Sequence, residues 1–112
     1  MPKKYEVWIA DPDPRFGAEP GKKRPVVVVQ SDLINGKINT TMICPITTKL
    51  VQGTHLLRLR LFQGEAGVSQ DSDILISQIR AIDNNRFEHR VGILGENQSS
   101  KPDQSLSIVL DI

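Results

Sequence analysis

Short runs of hydrophobic residues, separated by turn-forming residues, follow one another along this chain. The runs occupy residues 7–10, 25–30, 40–46, 56–61, 73–83 and 90–95. Runs of this length that are rich in Val, Ile and Leu and bounded by Gly, Pro, Asn or Asp are typical of β-strands. In the second run, four consecutive valines predict a central strand that is covered on both faces. The pattern therefore predicts six short strands.

The hydrophobic spacing changes near the C-terminus. Leu106, Val109 and Leu110 recur at helical spacing, and Ser100 followed by Pro102 is typical of the start of a helix. We therefore expect a short C-terminal helix that begins at Ser100. Six short strands and one helix predict a mainly β fold, in the form of a small, strongly bent sheet or barrel.

The composition indicates a single domain spanning residues 1–112, with an aliphatic core. Hydrophobic residues make up 38% of the chain but aromatic residues only 4%. The 14 Lys and Arg residues nearly balance the 13 Asp and Glu residues, and the formal net charge is +1. A nucleic-acid site would therefore have to be a local feature of the surface.

Several classes of protein are not favoured. The chain starts without a hydrophobic leader and has no run long enough to cross a membrane, so we expect a soluble protein. The lone Cys44 has hydrophobic neighbours, which predicts a buried thiol and a cytoplasmic location. Neither His55 nor His89 has a second ligand at metal-binding spacing, and no nucleotide-binding glycine motif occurs. We expect neither a metal nor a cofactor.

The first candidate for chemistry is the cationic run Lys22, Lys23 and Arg24, which leads into the strand that opens at Pro25. Proline is tolerated at the first residue of a strand and restricts the backbone there. An arginine held in this way offers a planar fork to phosphate oxygens, and lysines add positive charge. The alternative is a solvated loop, which is the commoner reason for so short a run.

Two further polar sets have similar alternatives. Thr47 and Thr48 follow a strand end, where a hydroxyl can bond either a phosphate or the nearby backbone. Ser77, Gln78 and Arg80 lie within the run 73–83, and strand alternation would place Gln78 and Arg80 on one face. Such a pair could contact RNA bases and backbone, or could form a buried polar network.

Taken in order, five motifs resemble the MazF/PemK toxin family. They are VWIADPDP at residues 7–14, GAE at 17–19, RPVVVV at 24–29, PITT at 45–48 and SQIRAID at 77–83. The resemblance runs from about Tyr5 to the C-terminal helix. It implies an SH3-like small barrel of the CcdB/Kid/MazF type with a short C-terminal helix.

The resemblance also implies a function and partners. It implies a homodimeric toxin that cleaves single-stranded mRNA at short specific sequences without metal, leaving a 2′,3′-cyclic phosphate. A cognate MazE-like antitoxin would neutralise it, and operator DNA would be bound through the antitoxin complex. The alternative is a non-catalytic nucleic-acid-binding module or a CcdB-like module that poisons topoisomerase.

The family's catalytic residues can be placed by motif. Its arginine falls on Arg24 and its strand-end threonine on Thr47, with Glu19 in a supporting role. The expected RNA-binding residues are Lys22, Lys23, Thr48, Ser77, Gln78 and Arg80. The chain departs from the Kid-like branch, because Leu75 and Ser77 stand where that branch has an arginine and an aspartate. That second catalytic pair is therefore not carried over.

Overall fold

The computed structural model describes residues 1–12, 23–53 and 56–112. Within these ranges the chain forms seven strands and one α-helix. They are β1 (Glu6–Ala10), β2 (Arg24–Val28), β3 (Thr40–Thr47), β4 (Arg58–Leu61), β5 (Ser72–Leu75), β6 (Arg80–Asp83), β7 (Phe87–Ile93) and α1 (Glu96–Val109). Three 3₁₀ turns, Glu65–Gly67, Ile76–Gln78 and Asn84–Arg86, connect neighbouring elements. The prediction of a mainly β fold with one C-terminal helix is confirmed.

The strands form one antiparallel sheet in the order β4-β5-β3-β2-β1-β7, and β6 pairs with β3 beside β5. The two ends of this order approach each other, because the turn Glu65–Gly67 after β4 packs against β7. Gly92 of β7 lies so close to Ala66 that a Cβ at Gly92 would collide with the Ala66 carbonyl. The sheet is therefore strongly curved and barrel-like, although its strand order stays open among the described residues.

The predicted strand over residues 73–83 is wrong as a single element. Ile74 pairs with Ile46, and Arg80 pairs with Ile43. The chain therefore advances by six residues while the pairing advances by only three residues along β3. The extra residues form the 3₁₀ turn Ile76–Gln78. Opposite this gap lies Pro45, which has no backbone N–H to offer a neighbouring strand. The segment therefore stops pairing with β3 after Ile46 and pairs with it again at Ile43.

The helix begins earlier than predicted. Hydrogen bonds from the Gln98 and Ser99 amides to the Gly95 carbonyl start α1 at Glu96, four residues before Ser100. Pro102 thus lies inside the helix and is buried. Serine and proline are good signals of a first turn, but here the helix begins four residues earlier, directly after the extended N-cap residue Gly95.

Two hydrophobic cores lie on opposite faces of the sheet. The large core contains Val7, Val27, Cys44, Ile46, Ile74 and, from α1, Leu106, together with buried residues of the connecting turns. The small core contains Ala10, Val26, Val28, Ile43 and Ile82, with Trp8 and Phe87 packed against it. Neighbouring valines of β2 point alternately into the two cores. The strand is therefore covered on both faces, as predicted.

Cys44 is buried in the large core, as predicted. Burial raises the pKa of its thiol to about 12. Within the described ranges, no helix is long and hydrophobic enough to cross a membrane.

Candidate active site

The strand register brings together the two residues expected to carry catalysis. Val28 pairs with Ile43 and Val26 with Pro45 along β2 and β3. Continuing this register by two residues places Arg24, the first residue of β2, opposite Thr47, the last residue of β3. A guanidinium and a hydroxyl therefore share one edge of the sheet.

Arg24 is also held from its other side, because it pairs with Ala10 of β1. It is partly buried, and Pro25 follows it in the strand. The backbone that carries the guanidinium is thus flanked by two strands. Such support fixes where the side chain emerges, as a charge-stabilising group requires.

Thr47 is partly buried and pairs with Asp73 of β5 on the side away from β2. Its Oγ1 accepts a hydrogen bond of 3.1 Å from the backbone N–H of Lys49. The Thr47 hydroxyl therefore bonds the nearby backbone, which is one of the two alternatives that the sequence left open. A threonine hydroxyl has one hydrogen and two acceptor positions, so this bond leaves the hydrogen available for a phosphate oxygen.

A second cation lies on the same face of the sheet. Arg24 and Thr47 share the face of the small core, because they alternate with residues of the large core. Arg80 pairs with Ile43, and Ile82, two residues further, belongs to the small core. Arg80 therefore projects from the face that carries Arg24 and Thr47.

Arg80 lines a surface cavity of about 250 Å³. The other lining residues are Pro12, Ala81, Ile82, Asp83 and Arg86. Arg86 Nη1 donates to the carbonyl oxygen of the buried Asp11 at 3.3 Å. The cavity thus combines two arginines with one acidic residue, Asp83, and a hydrophobic wall. Its guanidinium groups are of the kind that bind phosphate oxygens. Arg86 lies three residues beyond the last matched motif, so no motif in the sequence pointed to it.

The remaining predicted residues are less close together. Lys23 is exposed, and its Nζ lies 3.0 Å from Glu88 Oε1. Thr48 is exposed immediately after β3. Ser77 and Gln78 are exposed in the 3₁₀ turn Ile76–Gln78. The prediction that Gln78 and Arg80 share one strand face is therefore wrong, because the chain turns between them.

Two predicted residues, Glu19 and Lys22, lie outside the described residues. In the part of the chain that the structure describes, no group of three or more His, Cys, Asp or Glu side chains could hold a metal ion.

A buried ion cluster borders Thr47 and was not foreseen. Asp73 is buried, and its carboxylate oxygens accept hydrogen bonds from Arg58 Nε at 3.1 Å and Arg60 Nε at 2.6 Å. The partial alternation of leucine and arginine over residues 56–61 is typical of a strand with one solvent-facing side. It did not indicate that both arginines bind one carboxylate, because their partner is contributed by another strand.

Comparison with known proteins identifies the family. Residues 3–110 match the model of the PemK-like, MazF-like toxins of type II toxin–antitoxin systems. The endoribonuclease EndoA of Bacillus subtilis is 32% identical over 108 residues, covering 96% of this chain and 93% of EndoA. The endoribonuclease MazF of Staphylococcus saprophyticus is 28% identical over 112 residues, covering all of this chain and 93% of that protein.

Solved structures agree with the fold. A MazE-MazF structure from Deinococcus radiodurans superposes with a TM-score of 0.79 at 21% identity, covering 99% of this chain and 96% of that one. The Mycobacterium tuberculosis toxin MazF-mt6 gives a TM-score of 0.76 at 17% identity, covering 96% and 97%. Fold and sequence therefore agree, and this chain belongs to the PemK-like, MazF-like family of toxins of type II toxin–antitoxin systems.

Proposed function

We propose that this chain is a toxin endoribonuclease that cuts single-stranded RNA at short specific sequences without a metal ion. Membership of the toxin family and the endoribonuclease relatives support this class of activity. The site is supported by the register of β2 with β3, which pairs Val28 with Ile43 and Val26 with Pro45 and, extended by two residues, brings Arg24 opposite Thr47. A module that only binds nucleic acid has no need of this pair at one sheet edge.

The proposed reaction is an internal transesterification. The 2′-oxygen of the substrate forms a bond to phosphorus and loses its proton, while the bond from phosphorus to the 5′-oxygen breaks. The 5′-oxygen takes up a proton, and the products are a 2′,3′-cyclic phosphate and a free 5′-hydroxyl. Charge develops on the phosphoryl oxygens in the transition state, so fixed donors aimed at these oxygens lower the barrier.

Arg24 and Thr47 supply such donors. The Arg24 guanidinium stabilises the pentavalent phosphorane electrostatically, because an arginine side chain keeps its charge and is a poor proton donor. The Thr47 hydroxyl donates to a phosphoryl oxygen and fixes the scissile phosphate. The general base is not assigned to a residue.

The substrate would lie along the face of the small core. Unpaired RNA is the expected form, because the A-form major groove is too deep and narrow for side chains to reach the bases. Lys23, Arg80 and Arg86 would contact phosphates, and Thr48, Ser77 and Gln78 would contact sugars or bases. Glu19 and Lys22 keep the supporting and RNA-binding roles proposed from the sequence.

The proposed partners follow from the family. We infer a homodimer in the cytoplasm, where mRNA is available, and a cognate MazE-like antitoxin that covers the Arg24 region. Solved relatives include MazE-MazF structures from Deinococcus radiodurans and a mycobacterial endoribonuclease in complex with its cognate antitoxin. Binding of operator DNA through the antitoxin complex is part of the same proposal.

Incubation of a long RNA with the protein in EDTA tests this function. We expect discrete cuts whose upstream fragments end in a 2′,3′-cyclic phosphate. Arg24→Ala should lower the cleavage rate by about 10²–10³-fold, the usual cost of removing one charge-stabilising donor. Arg24→Lys, which keeps the charge but loses the fork, should bind RNA yet remain slow.

Lys37→Ala serves as the control, because Lys37 is an exposed cation in the turn before β3. It should cut at the wild-type rate. Intact RNA that is nevertheless retarded in a gel would contradict the nuclease and favour a binding module. Cleavage by Arg24→Ala near the wild-type rate would overturn the assignment of Arg24 alone.

A further inference from the structure

The cluster around Asp73 satisfies a carboxylate that would otherwise be costly to bury. The Asp73 side chain is 2% exposed, and each of its oxygens receives one arginine Nε–H. A buried charge that loses a partner destabilises a protein, whereas a fully paired one holds its neighbours in a defined geometry. Asp73 is therefore a rigid anchor at the edge formed by β3, β4 and β5.

Arg58 connects this anchor to the turn that follows β3. While its Nε donates to Asp73, its Nη2 donates to the carbonyl oxygen of Lys49. The N–H of the same residue, Lys49, donates to Thr47 Oγ1 at 3.1 Å. One guanidinium thus links the buried carboxylate to the peptide turn that holds the Thr47 hydroxyl.

Asp73 also acts on Thr47 from the other side, through the backbone. The two residues are direct partners in the β3–β5 ladder. Thr47 is therefore held by strand pairing at its main chain and by the Lys49 turn at its hydroxyl, and Asp73 contributes to both. We call Asp73, Arg58 and the turn 47–49 the threonine clamp.

We propose that Asp73 and Arg58 are positioning residues that fix the orientation of the Thr47 hydroxyl through the threonine clamp. This inference rests on the proposed function, in which that hydroxyl binds the scissile phosphate. Without the Arg58 bond to its carbonyl, the Lys49 turn can move, and its N–H no longer holds Oγ1 in one orientation. A displacement of about 1 Å in a reacting group can cost about 100-fold in rate.

Arg60 provides a matched control within the same cluster. Arg60 donates to the other oxygen of Asp73. Among the described residues, this carboxylate is the one polar group that the Arg60 side chain binds. Arg58→Gln and Arg60→Gln each remove one cation from the same carboxylate and one positive charge from the same strand. Only Arg58→Gln also releases the Lys49 turn.

Steady-state cleavage kinetics of the full chain test the clamp. Arg58→Gln should lower kcat by about 10- to 100-fold and leave KM nearly unchanged, because the effect is on orientation. Arg60→Gln should change kcat by less than about twofold. In the Thr47→Val background, Arg58→Gln should cause no further loss of kcat, since the hydroxyl it orients is gone. Equal losses in both single variants, or additive losses in the double variant, would overturn the proposal.

Hydrogen exchange of the Lys49 amide gives a readout that does not depend on cleavage. Exchange should be faster in Arg58→Gln than in the wild type and unchanged in Arg60→Gln. If the wild type fails to cut RNA, the proposed function fails, and this measurement still decides whether the clamp exists. Unchanged exchange in Arg58→Gln overturns the clamp even if cleavage is slowed.

A variant that keeps the positive charge at position 58 tests whether a loss of kcat in Arg58→Gln is caused by loss of folding. Arg58→Lys retains a cation for Asp73, but a single ammonium cannot reproduce the two-ended fork of arginine. It should fold, speed exchange at Lys49 and lower kcat as Arg58→Gln does. A fully active Arg58→Lys would show that charge alone is needed and would contradict the clamp.

Discussion

The two faces of the sheet are made by the same strands but are covered differently. The large core is closed by the helix α1 and by the connecting turns, and it takes most of the fully buried aliphatic side chains. The small core is a patch flanked by Trp8 and Phe87, whose rings meet edge to face at 5.8 Å. Arg24, Thr47 and Arg80 belong to this second face.

Under the proposed function, this difference separates stability from chemistry within a chain of 112 residues. In β2, Val27 serves the large core, whereas Arg24 and Val26 face the other way. In β3, Ile46 is buried while the next residue, Thr47, carries the proposed chemistry. Because strand neighbours point to opposite faces, each strand supports the fold with one set of residues and the site with the other.

The largest effect should come from the large core. Ile74→Ala removes a side chain that is 1% exposed, and it should lower the free energy of unfolding by about 2–5 kcal/mol. Urea unfolding measures this loss, and the cleavage rate per folded molecule should stay the same. Leu33→Ala, at a residue 81% exposed, should stay within about 0.5 kcal/mol of the wild type. A rate loss in folded Ile74→Ala would show that the two faces are not separate.

Thr47→Val should have the opposite profile. Valine keeps the shape of threonine but loses the hydroxyl, so kcat should fall by the equivalent of about 1.5–3 kcal/mol, the range for hydrogen bonds to charged groups. RNA affinity and unfolding should change little. Thr40→Val, at the exposed far end of β3, is the control and should cut normally. A Thr47→Val protein with unchanged kcat would remove Thr47 from the mechanism.

A smaller effect is expected at Lys23, because it is exposed and already paired with Glu88. Lys23→Ala should weaken RNA binding severalfold and reduce the slope of log K against log salt by about 1, as the loss of one phosphate contact requires. Glu88→Gln should strengthen binding, since it releases Lys23 from its competing partner. Filter binding across a salt series measures both, and equal slopes for all three proteins would exclude a phosphate contact at Lys23.

The smallest expected effect concerns Cys44, whose thiol should not be alkylated in the folded protein. Burial raises the pKa of Cys44 to about 12, so almost no reactive thiolate exists at pH 8 in the folded protein. Iodoacetamide should label Cys44 only after unfolding, as mass spectrometry can show. Because the unfolded thiol ionises near about pH 8.5, the folded state should also lose stability as pH rises from there toward 12. Rapid labelling of native protein would contradict a closed large core.

The sequence alone predicted the parts of this fold that depend on local patterns. The strands around the valine run and around Thr47 follow from hydrophobic runs and turn residues, and the family motifs placed Arg24 and Thr47. The division of residues 73–83 could not be predicted locally, because it depends on how two segments share β3 opposite Pro45. The start of α1 was missed because Ser100 and Pro102 also fit inside a helix that Gly95 begins.

The site followed the same rule. Arg24 and Thr47 were each ambiguous alone, and only the register of β2 with β3, extended by two residues, brings them to one edge. The Arg58–Asp73 pair and the contact of Arg86 with the Asp11 carbonyl join residues far apart in sequence, so no local pattern indicates them. Predicting such pairs requires the strand order, which charge patterning does not supply.

The three-residue excursion between β5 and β6 has a consequence for how this protein can diversify. Ser77 and Gln78 sit in it, outside the ladders that hold β5 and β6 to β3. Substitutions there should change the exposed surface of the turn without shifting the register of β2 with β3. Under the proposed function, a few point mutations there would change the preferred RNA sequence and leave the edge that carries Arg24 and Thr47 intact.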